Sequence, residues 1–500
     1  MEWLLLARAE LTAHPLLAAI PALALVAIIE RLRPGTFVRR LWLAIPFVAY
    51  GGLVAAAVAV GAYSDHIEPA IVSGGAALAR GDVLYGDPLR ALPYGPAAYM
   101  ATGLWSTLFG ATAQSMRLLA VFAALAGVGV VALIQRRRGE RWPAAVGVLL
   151  VLYLAFGAAS LWIRAEPFLL LCVPLAIGGI GMASLAGAVL AGAAAGVVLN
   201  LKLSAALCLL PIAAYALHQR HRAWLLTAML TAVAVGLVPF VHPLVSLSGY
   251  IDVLAVTSTH DIVPRRLVTQ VQWALLLLMV AGPTFQRRAW REGAAVDAAL
   301  VAAIAGTAVV AAKIGAGAYH FLPFAPIIAA RAIAPGTRRV TMRDVAIVTI
   351  GLVAVVQTAY TARFGWSPID RAAEADVRAI TADDGRDIAI GYSDHYRGLF
   401  ARPVAIERGS PYLFDAATLM DRQAAGLPFP ATLVDEIGRC PVDRWALPGG
   451  DPFGLRNAYS GQRLFPEAFT QAFRASYVRT GTGGMFDIWV CRSRVVEPAR

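Results

Sequence analysis

The placement of charge between the apolar runs constrains this chain most. Up to about residue 362 it reads as roughly twelve apolar runs, each long enough to cross a bilayer or nearly so. They fall near 11–29, 41–62, 115–135, 142–158, 167–182, 185–199, 203–217, 223–243, 267–285, 295–312, 320–334 and 344–362. Every second gap between them is rich in arginine: 31–40, 136–141, 218–222, 287–291 and 338–343. A basic bias on alternate gaps marks the cytoplasmic face. The other gaps hold an acidic cluster (Asp65, Glu68), an Arg-x-Glu (Arg164, Glu166) and the chain's two lysines, Lys202 and Lys313. The expectation is an all-α polytopic membrane bundle of about twelve transmembrane helices, with its polar residues gathered on the outer face.

Composition agrees, at 59% hydrophobic and 15% charged residues. The net charge of +12 invites a nucleic-acid reading, but its location argues against one. Residues 1–362 carry 26 Lys and Arg against 14 Asp and Glu, whereas 363–500 carry 17 Arg against 17 acids. The excess is therefore topology and contact with anionic membrane lipid, and no nucleic acid is expected as a partner. The first ten residues lack a basic n-region, so 11–29 reads as a retained span. Alanine- and arginine-rich, lysine-poor usage suggests a GC-rich bacterium, and with it a multi-pass protein of the bacterial inner membrane.

Two regions follow. Residues 1–362 form the transmembrane part, whose first outer loop, 63–114, is too long for a plain connection. In that loop Glu68–Arg80 has helical character, and Pro96–Phe109 is apolar enough to lie along the membrane surface. Residues 363–500 are polar and punctuated by Gly and Pro. Short β-like runs (387–391, 488–491) stand beside helical patterns (369–380, 416–425, 467–474), which predicts a small extracytoplasmic α/β domain. Cys172 and Cys208 sit inside apolar runs. Cys440 and Cys491 lie in the tail, and an extracytoplasmic location leaves a disulfide between them open.

Three groups of residues could carry chemistry. Asp65 and Glu68, three apart, share one helical face at the lip of a span, where a carboxylate is costly unless solvated or paired. Taken alone they fit a solvated helix N-terminus best; the functional alternative is a general base for a hydroxyl acceptor. Tyr85 and Tyr94 belong to a Pro/Gly-fixed loop, Leu84 to Tyr99, able to line a substrate or to anchor at headgroup level. Arg164, Lys202, Arg265, Arg266, Lys313 and His320 come from different outer gaps. Singly they would snorkel into headgroups; gathered, they would suit a lipid phosphate. No phosphate-binding glycine loop, His-Glu-x-x-His or Cys-x-x-Cys occurs, and no metal site is expected.

This order of motifs resembles the integral-membrane C-class glycosyltransferases, which include protein mannosyltransferases, aminoarabinose transferases of lipid A, and mycobacterial mannosyl- and arabinosyltransferases. The resemblance rests on the acidic lip Asp65–Glu68, Leu84–Tyr85 with Pro93–Pro96, Arg164–Glu166, Lys202-Leu203-Ser204 where the family often has Lys-Gln-Thr, and Tyr319-His320-Phe321-Leu322-Pro323 opening a late span. It implies a polyprenyl-phosphate-linked sugar donor and a cell-envelope glycan, lipid or protein acceptor. Asp65 would be the general base, Glu68 or Glu166 would orient the acceptor, and the five cations with His320 would hold the donor phosphate. No cofactor is required, although an acid-rich loop could hold a divalent cation. The competing reading is a multi-span lipid or solute transporter or flippase. It would need polar residues near mid-membrane depth, and the span interiors are nearly free of charge. A third reading is a non-catalytic assembly subunit.

Overall fold

The computed structural model describes residues 2–32, 36–87, 89–140, 142–282, 290–332, 341–365, 370–382, 387–395 and 397–494. Of the inner-gap arginines, Arg33, Arg141, Arg287, Arg288, Arg338 and Arg339 lie outside these residues, as does Pro88 of the tyrosine loop. The chain forms two compact units that alternate along the sequence. The first comprises Met1–Ala59, Leu118–Pro239 and Ile262–Trp366; the second comprises Val60–Arg117, Phe240–Asp261 and Ser367–Arg500.

The first unit is helical. Among the described residues, four helices are long and apolar enough to cross a membrane: Ala113–Arg137, Arg222–Val241, Gly293–Ala311 and Met342–Phe364. Several other expected spans are shorter apolar helices, including Trp142–Ala155, Ala165–Gly181 and Leu185–Leu201. Length and composition alone therefore do not reproduce the count of twelve. The first expected span is two helical pieces, meeting at 108° around His14 and Pro15. Proline lacks an amide proton and pushes the preceding residue out of helical backbone, which explains a break at that point.

The small-residue pair Ala165–Gly181 and Leu185–Leu201 packs together, and the second of these packs on Arg222–Leu237. The approach is close enough that a Cβ on Gly192 would lie 2.2 Å from the Ala228 carbonyl oxygen. Helices without a hydrophobic drive to associate in lipid gain their contact through such small residues.

The second unit joins the first outer loop to the tail. Helix Ile67–Ala79 packs on Pro96–Phe109 and on Arg397–Glu407. The loop backbone is stitched to the tail as well: Asp415 N donates to Leu89 O at 2.8 Å, and Thr418 Oγ1 to Ala91 O at 3.2 Å. Helix Pro96–Phe109 buries its Ala98, Tyr99, Thr102 and Ser106 face and exposes Leu104, Leu108 and Phe109, as a helix lying on a bilayer would.

The tail carries a four-stranded sheet of β1 (Ile388–Ile390), β2 (Arg444–Pro448), β3 (Tyr477–Gly483) and β4 (Phe486–Cys491), ordered β1-β2-β4-β3. β1 and β2 run parallel; the other two pairings are antiparallel. Helices Ala416–Ala424 and Glu467–Ser476 contribute to an aromatic core of Tyr392, Phe414, Trp445, Phe453, Phe465, Phe469 and Phe473. Cys440 and Cys491 are joined by a disulfide.

Candidate functional site

The sequence-predicted site residues fall in both units, and each set has its own geometry. In the first unit, Arg164 caps helix Ala165–Gly181 and Glu166 stands in its first turn, where the helix dipole favours a carboxylate. Lys202 follows the last residue of helix Leu185–Leu201, where the backbone turns extended before the turn Leu203–Cys208. Lys202 Nζ donates to Glu166 Oε1 at 2.8 Å, and Glu166 is 1% exposed. The lysine also lies 4.7 Å from the centre of the Tyr319 ring. Arg164 Cζ lies 4.1 Å from the Trp162 ring, and Trp162 meets Tyr319 edge-on at 5.0 Å. His320 packs against Tyr319 at 4.7 Å.

The result is a layered group, Arg164–Trp162–Tyr319–Lys202–Glu166, in which two cations share two aromatic faces and one carboxylate. Aromatic faces hold cations without neutralising them, so the group keeps a net positive charge beside Glu166. Arg266 and Lys313 are linked through the backbone in this unit. Arg266 Nη1 donates to the Lys313 carbonyl at 3.1 Å, where Val263 N also reaches Ala312 O at 3.0 Å. Arg265 is exposed.

In the second unit, Asp65 Oδ1 accepts from the amides of Ile67 at 3.0 Å and Glu68 at 3.3 Å, satisfying the first donors of helix Ile67–Ala79. Glu68 is fully buried. Arg117 Nη1 donates to its Oε1 at 2.9 Å, Arg117 Nη2 to its Oε2 at 2.8 Å, and Ser64 N to Oε2 at 2.6 Å. Arg117 is also fully buried and donates to Ala62 O at 2.6 Å. The bidentate pair thus clamps residues 62–68, the segment that carries Asp65.

His66 faces Tyr459 at 6.4 Å, and burial lowers its pKa to about 4, so it is neutral at pH 7. His260 Nε2 lies 3.0 Å from the Asp421 carbonyl oxygen. Burial raises the Asp421 carboxyl to about 6, against the opposing effects of His260 and the Tyr459 hydroxyl.

Tyr85 and Tyr94 shape the loop itself. The buried Tyr85 hydroxyl donates to Tyr94 O, and Tyr85 holds a left-handed φ of 61°. Its ring packs against Tyr99 and Tyr250 at 5.9 and 5.1 Å. Leu84 pairs with Val245 in a short parallel bridge, and a Cβ on Gly249 would stand 1.9 Å from Tyr85 O. Glycine at 249 is what lets segment 244–249 lie against this loop.

The sequence reading missed Arg117 and Trp162, and named Tyr319 only within the motif that opens a late span, not for its ring face. Arg117 had a signal, being a charge inside the apolar run 115–135. Among the described residues, no group of three His, Cys, Asp or Glu is placed to hold a metal ion.

A family model for dolichyl-phosphate-mannose-protein mannosyltransferases matches residues 93–246, a stretch that contains Arg164, Glu166 and Lys202. No curated protein matches the chain. Among solved structures, ArnT from Cupriavidus metallidurans bound to undecaprenyl phosphate superposes with a TM-score of 0.54 at 13% identity, covering 93% of this chain and all of that one. ArnT in the apo state superposes with a TM-score of 0.53 at 14% identity, covering 93% of this chain and 99% of that one. The chain shares the fold of ArnT.

Proposed function

We propose that the protein is a multi-pass membrane glycosyltransferase. It moves one sugar from a polyprenyl phosphate to an acceptor hydroxyl on the extracytoplasmic face, with inversion at the anomeric carbon. The layered group of Arg164, Lys202 and Glu166 carries this reading, in a fold whose solved example ArnT binds undecaprenyl phosphate. A phosphate leaving group is already ionised, so departure calls for cations and not for a general acid. Lys202 and Arg164 would supply them, with the Trp162 and Tyr319 rings fixing their direction. Asp65 would take the acceptor proton as the hydroxyl attacks C1, the bond from C1 to the phosphate oxygen breaks, and the polyprenyl phosphate departs.

Glu68 is assigned to holding the lip, because both its oxygens are engaged by Arg117. Glu166 is assigned to orienting Lys202. The outward face of the site is supported by the alternation of arginine-rich gaps and by the Cys440–Cys491 bridge, since disulfides persist in oxidising compartments. The acceptor is a hydroxyl of a cell-envelope glycan, lipid or protein.

The test uses purified protein, a radiolabelled polyprenyl-phosphate sugar and envelope extract as acceptor. Asp65→Asn should abolish transfer and leave donor binding near that of the unaltered protein. Wild-type turnover in Asp65→Asn would remove Asp65 from the reaction, and the absence of any labelled product with the unaltered protein would sink the enzyme reading. Transfer should also survive a chelator, because the leaving phosphate is answered by side chains.

A further inference from the structure

A second feature of the first unit lies at the opposite end of the same helices. An apolar groove of about 330 Å³ runs between helices Ala165–Gly181, Leu185–Leu201, Leu209–Gln219 and Arg222–Leu237, open on the side where Ala213, Leu217 and Met229 are exposed. Its walls include Ile180, Gly192, Ala195, Ala213, Leu217 and Trp224, and every lining residue is apolar. The groove has a local cause: alanine and glycine stand on facing helices, so the backbones meet in places and leave space between them, open to the lipid outside.

The position of the groove narrows the occupant. Helix Arg222–Val241 is apolar and almost wholly unburied by the rest of the protein, so its outer side meets lipid. Leu217 and Trp224, both lining the groove, flank the arginine-rich gap 218–222, whose turn at 220–221 separates helix Leu209–Gln219 from helix Arg222–Leu237. In that turn Arg220 donates from Nε to Ile180 O at 2.9 Å and closes the helix end, while His218, His221 and Arg222 are exposed. An apolar slot ending at the exposed Arg222 guanidinium and the His221 ring complements an anionic amphiphile. Glu166 and Ile180 stand at opposite ends of one helix, roughly 20 Å apart at 1.5 Å per residue. The slot is therefore separate from the Lys202 group.

We infer that this slot binds one anionic phospholipid of the surrounding bilayer, with an acyl chain between the small-residue helices and its phosphate against His221 and Arg222. The test is native mass spectrometry of the full-length protein, extracted into mild detergent from vesicles of phosphatidylglycerol or of phosphatidylcholine. The unaltered protein should retain one phosphatidylglycerol per chain, at least tenfold more than phosphatidylcholine. Ala213→Phe, which fills the slot, should lose the retained lipid. Arg222→Gln should bring the two lipids within threefold of each other. Excess inorganic phosphate should displace nothing.

Equal retention of the two lipids by the unaltered protein would overturn the proposal. So would retention by Ala213→Phe, or release by inorganic phosphate alone. Should Ala213→Phe not fold, Leu217→Trp closes the slot from its exposed side and is read the same way.

Discussion

Lys202 and Glu166 lie 36 residues apart in sequence and 2.8 Å apart in space, and the proposed chemistry turns on what that contact does. A hydrogen bond to a charged group contributes about 1.5–3 kcal/mol. If Lys202 binds the donor phosphate, Lys202→Met should weaken donor affinity by tenfold to a hundredfold, measured by equilibrium binding of a polyprenyl phosphate. Glu166→Gln separates two roles. Glutamine still offers Lys202 an oxygen, so a residue that only orients the lysine should tolerate it, with turnover retained. A fall in kcat at unchanged donor affinity would instead assign Glu166 to the acceptor.

Asp421 gives a prediction in pH. Its pKa is raised by burial to about 6 from an ordinary value of 3.8, so the folded form holds its proton where the unfolded chain has lost it. The stabilisation is present below pH 4 and is lost as pH rises through about 6. Asp421→Asn removes that loss. Its unfolding midpoint should therefore gain on that of the unaltered protein between pH 4 and 7, and a constant difference across the range would contradict the assignment.

At the scale of the element, the acidic lip stands because Arg117 and Glu68 are both fully buried and bonded to each other. Removing one partner of such a pair leaves an uncompensated buried charge and costs about 3–5 kcal/mol. Arg117→Leu should lower stability by that amount and abolish transfer, since residues 62–68 lose their clamp. The double change Arg117→Leu with Glu68→Leu should recover much of the stability without recovering transfer, and the difference between the single and double variants measures the pair.

Arg117 also shows where sequence reading reached its limit. Its charge stood in plain view inside an apolar run, but only the fold brings it to Glu68, 49 residues earlier. Several helices were legible: Pro96–Phe109, 370–380 and 467–476 fall close to their expected bounds, because apolar content and periodicity are local properties. The break at His14–Pro15 was written in the proline, yet a hydropathy window averages over a single kinking residue. Pairings such as Leu84 with Val245 left no sequence trace, since a two-residue bridge has no period to detect.

At the scale of the whole molecule, the Cys440–Cys491 bridge joins the question of stability to that of topology. Cys440 precedes β2 and Cys491 ends β4, strands that pair directly, so the bridge staples neighbours already held by the sheet. Its sequence separation of 51 residues still lets it restrain the unfolded chain, by about 4 kcal/mol if loop entropy alone counts. Cys440→Ser with Cys491→Ser should therefore lower the unfolding midpoint of the second unit without altering its aromatic core, checked by near-ultraviolet circular dichroism.

The same two thiols report the side of the membrane. Alkylation of intact cells, followed by reduction and a second label, should find both blocked by a disulfide if the tail faces an oxidising space. Buried Cys172 and Cys208 serve as the thiol control in the same chain. Recovery of Cys440 and Cys491 as free thiols from oxidation-competent cells would place the tail on the reducing face. It would reverse the inward assignment of the arginine-rich gaps and move the proposed transfer to the cytoplasmic side.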